Sequence, residues 1–323
     1  MSEEFSAAMA SAVASLRTIV AGGIVLGALS TSTLADAGFA PTSWPSAQQA
    51  AVPLDVPQVD AASVYDSQPV LLERQAAALA PQRPGITDLY FVGFAGNGSQ
   101  DVFMKEVRAA QSLFDERFDT QQRSISLVNN ADTVGELPLA NAANLRSVLG
   151  DVADVMDRDE DVLFLFLSSH GSRDHRLSVD FFPAQIGSIG PGTVGKILDE
   201  SGIKWRVVVV SACYSGAFVD ALKNDHTMII TAAAGDRSSF GCSNSRDFTW
   251  FGKAFFDDQL RSSFSFDGAF AKAKRTIAAW ETLENLKPSE PQIHVGAAIE
   301  PVLDGLTARL RQQGDAPEAI AMQ

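Results

Sequence analysis

The chain has 323 residues, 46% of them hydrophobic and 20% charged, which suits one large folded unit with extensions and excludes global disorder. Its formal net charge of −14 leaves no basic stripe to release counterions from phosphates, which argues against a nucleic-acid partner. The cysteines Cys213 and Cys242 and the four histidines form no CxxC or HExxH spacing, so neither a metal site nor a cofactor is expected.

Residues 1–37 read as a targeting segment: Arg17 precedes an apolar run from Ile19 to Leu29, and Leu34-Ala35-Asp36-Ala37 offers an A-x-A cleavage pattern. The run falls short of the about 20 apolar residues of a membrane span. A cleaved signal peptide is the economical reading, and an uncleaved signal anchor, with residues 16–30 as a membrane tether, is the alternative. Both predict export. Residues 38–85 are rich in Ala, Pro, Gln and Ser, a composition too poor in apolar surface to order itself, and they are expected to be a tether or pro-segment. One short helix, Leu71 to Leu79, is expected inside it.

The folded domain is expected over 86–300. Leu89 to Phe94 reads as a strand, followed by a turn through Gly96, Asn97 and Gly98. Apolar residues at helical spacing from Asp101 to Phe118 follow, with Asp101 well placed as an N-cap. There is no GK[ST] and no complete GxGxxG, so a phosphate loop is disfavoured. A strand from Ser124 to Val128 and a helix from Asn141 to Met156 come next. Val162 to Leu167 is an unbroken apolar run of the kind that makes a strand buried on both faces, and it releases Ser168, Ser169, His170 and Gly171 at its end.

A hairpin around Leu177 to Phe182 and a crossover helix from Gly190 to Glu200 lead to Val207 to Val210, a second doubly buried strand. This one ends in Ser211 and Ala212, presents Cys213, and breaks at Gly216 into a short helix from Ala217 to Lys223. A thiol there sits at a strand end and a helix N-terminus, where thiolate is favoured. A buried strand from Thr227 to Ala232, a polar loop from Ser238 to Asp247, helices Phe248 to Leu260 and Phe266 to Glu281, a strand Ile293 to Ala297 and a polar tail over 301–323 complete the chain. The βαβα order predicts a doubly wound α/β fold with a mostly parallel sheet.

If the strands ending in His170 and Cys213 are parallel neighbours, a base and a thiol lie side by side at the top of the sheet. The chain between them is long enough for the crossover helix that parallel pairing requires. Two bland readings compete. A small thiol at a strand end is commonly structural, and in an oxidising compartment Cys213 and Cys242 would pair as a disulfide. The glycines after His170 and Cys213 and the matched strands favour the catalytic reading. His175, His226 and His294 end no buried strand and read as ordinary histidines.

A buried strand ending in His-Gly, followed by one ending in Ala-Cys-x-x-Gly, resembles the cysteine-peptidase clan of caspases and legumain. The match is to the legumain-like C13 family, and to its bacterial, envelope-located members, from about Asp88 to Ile299. Residues 230–242, ITAAAGDRSSFGC, are similar to the stretch that shapes the specificity pocket. The resemblance implies a caspase-like three-layer α/β sandwich with a six-stranded, mostly parallel sheet flanked by helices. It also implies a peptide or protein substrate and a periplasmic location, free or anchored to the inner membrane facing the periplasm. In it Cys213 attacks the scissile carbonyl, His170 is the general acid and base, and the N–H groups of Gly171 and Cys213 hold the oxyanion. Asn97 or Asp101 would be a third member. The substrate-binding set would be Ser211, Tyr214, Ser238, Ser239 and the pocket carboxylate Asp247.

Ser169 and Tyr214 stand where asparagine-specific members carry Asp and Glu. The first-pocket preference stays open between Asn or Asp and Arg or Lys, and three further readings stay open with it. They are an inactive relative that binds peptides in the same groove, a transamidase or ligase using the same thioester, and an esterase with a cysteine nucleophile. The last is disfavoured because its fold places the histidine after the nucleophile, and His170 precedes Cys213.

Overall fold

The computed structural model describes residues 60–314. Asp60 caps helix α1 (Ala61–Ala77), its carboxylate accepting from the Ala62 and Ser63 N–H groups. In chain order follow β1 (Leu89–Ala95), α2 (Asp101–Arg117), β2 (Ser124–Val128), α3 (Ala142–Val155), β3 (Val162–Ser168), β4 (Leu177–Phe181), β5 (Gln185–Ile189), α4 (Pro191–Ser201), β6 (Trp205–Ser211), α5 (Ala217–Leu222) and β7 (Thr227–Thr231). Next comes α6 (Trp250–Gly252), which runs on as a π-helical segment Lys253–Leu260, and then α7 (Phe266–Leu283), β8 (Gln292–Val295) and α8 (Glu300–Gly314).

Six strands form one sheet in the order β2-β1-β3-β6-β7-β8, parallel except for β8, while β4 and β5 pair as a separate hairpin. The apolar runs of β1 and β3 are buried along their whole length, as strands covered by helices on both faces must be. Phe91, Phe164, Phe166, Val207 and Val209 face one core shared with α2, the π-helical segment, α7 and α8. Tyr90, Val92, Leu163, Leu165, Val208 and Val210 face the other, shared with α3, α4 and α5. This is the three-layer α/β sandwich with a mostly parallel six-stranded sheet.

Two boundaries differ from expectation. The segment from Asp60 to 85 is not a free tether: Val64 and Leu71 of α1 are buried, and Gln68 Oε1 accepts from Leu139 N–H at 2.7 Å and from Asn144 Nδ2 at 2.9 Å. Its few apolar residues fall on one helical face, a pattern that overall composition averages away. Of the expected polar tail, residues 301–314 belong to α8, whose Leu303, Leu306 and Leu310 are buried in the aromatic core together with Ile299, and residues 315–323 lie outside the described residues. The expected targeting segment, residues 1–37, and residues 38–59 lie outside the described residues. Among the described residues no helix is long and apolar enough to cross a membrane.

Candidate active site

The register of β3 on β6 pairs Ser168 with Ser211, the last residue of each strand. His170 and Cys213 each stand two residues further on and share the parity of those serines, on the α2 side of the sheet. The chains stay together past the pair. Ser169 N–H donates to Ser211 O at 3.2 Å, and a β-carbon on Gly171 would overlap the Cys213 carbonyl oxygen and lie 3.1 Å from its nitrogen. Only glycine permits that approach. Among the described residues neither the Gly171 nor the Cys213 N–H donates to another protein group.

The His170 ring packs edge-on against Phe103 of α2, with centroids 4.9 Å apart, and its carbonyl accepts from Ser178 N–H at 2.9 Å. Burial holds its pKa below the ordinary histidine value, so the imidazole is neutral at pH 7 and able to accept a proton. The Cys213 sulfur is half-buried and accepts from Ser239 N–H at 3.2 Å; it also lies 3.5 Å from Ser239 O. No hydrogen bond joins sulfur and imidazole in this state. The sequence placed the thiol at a helix N-terminus, but α5 starts only at Ala217. The donor at the sulfur comes instead from the loop after β7.

That loop is tied to the Cys213 turn. Tyr214 adopts a left-handed backbone, φ 57°, which costs a non-glycine residue on the order of 1 kcal/mol. Its N–H donates to Arg237 O at 2.7 Å, which holds it there. Ser238 Oγ donates to the Tyr214 hydroxyl at 3.4 Å, and the Arg173 guanidinium lies 5.5 Å from the Tyr214 ring centroid. Both cysteines are free. Burial, then the charges of Glu106 and Cys213, pushes the Cys242 thiol up to about 12, which leaves it unreactive at neutral pH.

The remaining expected residues divide. Asn97 is buried, but its Nδ2 donates to Ser178 Oγ at 2.9 Å and its Oδ1 accepts from Ser99 N–H at 3.0 Å. It touches the residue that bonds the His170 carbonyl, not the imidazole. Asp101 is the first residue of α2 rather than its cap, which is Gln100, and it accepts from Asn130 Nδ2 at 3.1 Å. Ser211 is buried and its hydroxyl faces Thr249 at 3.0 Å, so it is no substrate contact. Asp247 is not a buried pocket carboxylate. Its side chain is 82% exposed, pairs with Lys105 at 3.6 Å, and borders a cleft of about 470 Å³ with Phe248, Trp250 and Trp280.

Phe103, Glu106, Arg173 and Thr249 were not anticipated. Glu106 carried a readable signal, because it lies in the apolar stripe Val102, Phe103, Val107, Ala110 of α2 and is itself fully buried. Among the described residues no group of three or more His, Cys, Asp or Glu is placed to hold a metal ion.

Comparison with known proteins gives three results. No curated protein matches this chain. Among solved structures it is similar to caspase-1 from Spodoptera frugiperda, at 11% identity and a TM-score of 0.45, over 67% of this chain and 92% of that one. The model of the peptidase C13 family matches residues 139–301, a span that contains both His170 and Cys213. The chain belongs to the peptidase C13 family.

Proposed function

We propose that the protein is a cysteine endopeptidase in which Cys213 is the nucleophile and His170 the general acid and base. The observation that carries this reading is the contact of the Gly171 and Cys213 backbones at the ends of two adjacent, in-register strands. His170 takes the thiol proton as the sulfur bonds to the scissile carbonyl carbon, and the resulting oxyanion is held by the N–H groups of Gly171 and Cys213. His170 then gives that proton to the departing amine, leaving a thioester. Water attacks the thioester with His170 again accepting a proton, and the carboxylic product and free thiol are released. An amine acceptor in place of water makes the same site a transamidase. Ser239 N–H, already on the sulfur, stabilises it as a leaving group in the second half.

The exposed Arg173 and Ser238, with the half-buried Tyr214 and Ser239, are the proposed substrate contacts at the mouth. The test is cleavage of a peptide library diverse in the residue before the scissile bond, by the full chain and by Cys213→Ala. Cleavage that disappears with the sulfur supports the reading and gives the first-pocket preference. No cleavage, together with peptide binding that survives Cys213→Ala, supports a non-catalytic peptide-binding relative instead. That second reading is motivated by Ser169, which is buried with its hydroxyl on Ser178 O at 2.7 Å, and by Tyr214, the two departures from the asparagine-specific pattern.

Export, with the chain periplasmic or held at the membrane through residues 16–30, is proposed on the sequence of the first 37 residues. N-terminal sequencing of the protein from envelope fractions tests it: a start after Ala37 supports cleavage, and an intact segment in the membrane fraction supports the anchor.

A further inference from the structure

Three residues along α2 from Phe103, which packs on the His170 ring, Glu106 reaches the strand ends. Ser168 Oγ donates to Glu106 Oε1. Thr249 donates to Oε2 twice, its N–H at 3.0 Å and its hydroxyl at 2.9 Å. Thr249 Oγ1 in turn accepts from Gly252 N–H at 3.0 Å and lies 3.0 Å from Ser211 Oγ. With the Thr249 hydroxyl proton given to Glu106, Ser211 must be the donor in that last pair. The carboxylate thus joins, directly and through Thr249, the two serines that pair across β3 and β6. These are the residues two positions before His170 and Cys213. The space is reserved for it, since a β-carbon on Gly252 would overlap Oε2.

We propose that Glu106, as a carboxylate, is the positioning residue that fixes His170 relative to Cys213, and that protonating it releases this constraint. Three donors converge on the ionised group, and a proton has no vacant acceptor to go to. On Oε2 it would reverse the Thr249 and Ser211 hydroxyls and leave the Ser211 proton without its acceptor; on Oε1 it would displace the Ser168 hydroxyl. Burial pushes Glu106 up to about 7, against the lowering effect of the Ser168, Thr249 and Ser211 bonds, which puts the exchange within the working range of an enzyme. The groups facing it from β3, β6 and the Thr249 turn are hydroxyls and an amide. Cys242 is pushed up by burial and then by its charge, and among the described residues no Lys or Arg forms an ion pair with it.

This inference rests on the peptidase reading, and the experiment separates the two. The full chain, Glu106→Gln and Ser168→Ala are alkylated with iodoacetamide from pH 5 to 9, with Cys213 and Cys242 resolved by mass spectrometry, and assayed on a cleaved peptide. In the wild type the Cys213 rate is expected to show a step near pH 7 besides the titration of the thiol itself. Glu106→Gln, whose amide can donate to Ser168 and accept from Thr249, is expected to lose the step. At pH 8 its kcat should fall on the order of 10-fold to 100-fold with little change in KM, as misplacement of a reacting group does. Ser168→Ala removes a bond that favours the ionised form and should move the step to higher pH. It decides the matter if the glutamine variant does not fold. A Glu106→Gln profile superimposable on the wild type, or a step that Ser168→Ala does not move, overturns the proposal. A step without any peptide cleavage sinks the peptidase reading and leaves the role of Glu106 standing.

Discussion

Asp88, just before β1, and Glu106 of α2, which reaches the opposite ends of the strands, are buried carboxylates housed in opposite ways. At the amino end Asp88 accepts from the Arg83 N–H and Nε, each at 2.8 Å, and Arg123 Nε lies 3.6 Å away; Arg83 and Arg309 also hold Asp119, at 2.5 Å and 2.7 Å. At the carboxyl end Glu106 has two hydroxyls and one amide and, among the described residues, no cation. A carboxylate paired with guanidinium groups fastens strand to loop. One without a cation is pushed up by burial and keeps a proton within reach, as at Glu106 and, at the amino end, at Asp161, which accepts from the Asp88 and Asp157 N–H groups. Glu106 differs from both in lying where the strand ends lead to His170 and Cys213.

The largest effect is expected at the carboxyl end. Cys213→Ala should remove peptide cleavage to background, on the order of 10⁶-fold for a lost nucleophile, with a melting temperature close to the wild type because the thiol is half-buried and makes contacts with Ser239 alone among hydrogen-bonding groups. Activity retained without the sulfur would end the proposal. Gly171→Ala comes next: the added methyl overlaps the Cys213 carbonyl, so the two strand ends must part and cleavage should again be lost. Here, unlike at Cys213, unfolding in urea should report a cost of about 1–3 kcal/mol for the forced contact.

Much of this was legible in the sequence because the signals were redundant. The unbroken runs at Val162 to Leu167 and Val207 to Val210 are long enough to admit one reading, and their polar ends name His170 and Cys213. The elements that escaped are those whose meaning depends on a partner distant in sequence. α1 is defined by the Leu139 and Asn144 groups that Gln68 meets, and α8 by the aromatic core it covers. At the site, Asp247 carried the right residue type in the right stretch, but Lys105 of α2 draws it outward. Ser211 was read by proximity to Cys213, while strand alternation turns it inward to Thr249. Glu106 was visible as a charge in an apolar stripe, and only the register of β3 on β6 reveals what it joins.

Glu106 should also leave a mark on stability, with a sign worked out from its protonation. Folding raises its pKa from the ordinary 4.5 to about 7, mainly by burial, so between those values the native state binds a proton that the unfolded chain has lost. Stability from this group is complete below pH 4.5 and is lost as pH rises through about 7. At ~1.4 kcal/mol for each tenfold in proton affinity the loss is about 3 kcal/mol. Glu106→Gln does not titrate, so relative to the wild type it should gain about that much between pH 4 and pH 8. Urea unfolding of both proteins at the two pH values measures this directly. The comparison cancels Asp161, which burial pushes up to about 6 in both. A variant that loses less stability toward pH 8 yet is slower there is the expected signature of a group kept for function; an unchanged or opposite pH dependence would remove Glu106 from that role.

The smallest effect, and the opposite sign, is expected at the amino end. Arg83→Ala leaves Asp88 fully buried with Arg123 as its remaining cation and Asp119 with Arg309. The loss should be about 2 kcal/mol at neutral pH, the scale for a buried acceptor deprived of one partner, since Arg83 is itself partly exposed. Burial alone would raise the Asp119 pKa, but the bonds from Arg83 and Arg309 outweigh it and hold the carboxyl below its ordinary value. Stability of that origin is present above the ordinary carboxylate range and disappears as pH falls through it. The gap between wild type and Arg83→Ala should therefore close in acid, where the Glu106 contribution is complete. Alkylation of Cys213 should be the same in both proteins at every pH from 6 to 9. A changed Cys213 profile in Arg83→Ala would mean that the two ends of the sheet are coupled, and that the guanidinium cluster belongs to the chemistry as well as to the fold.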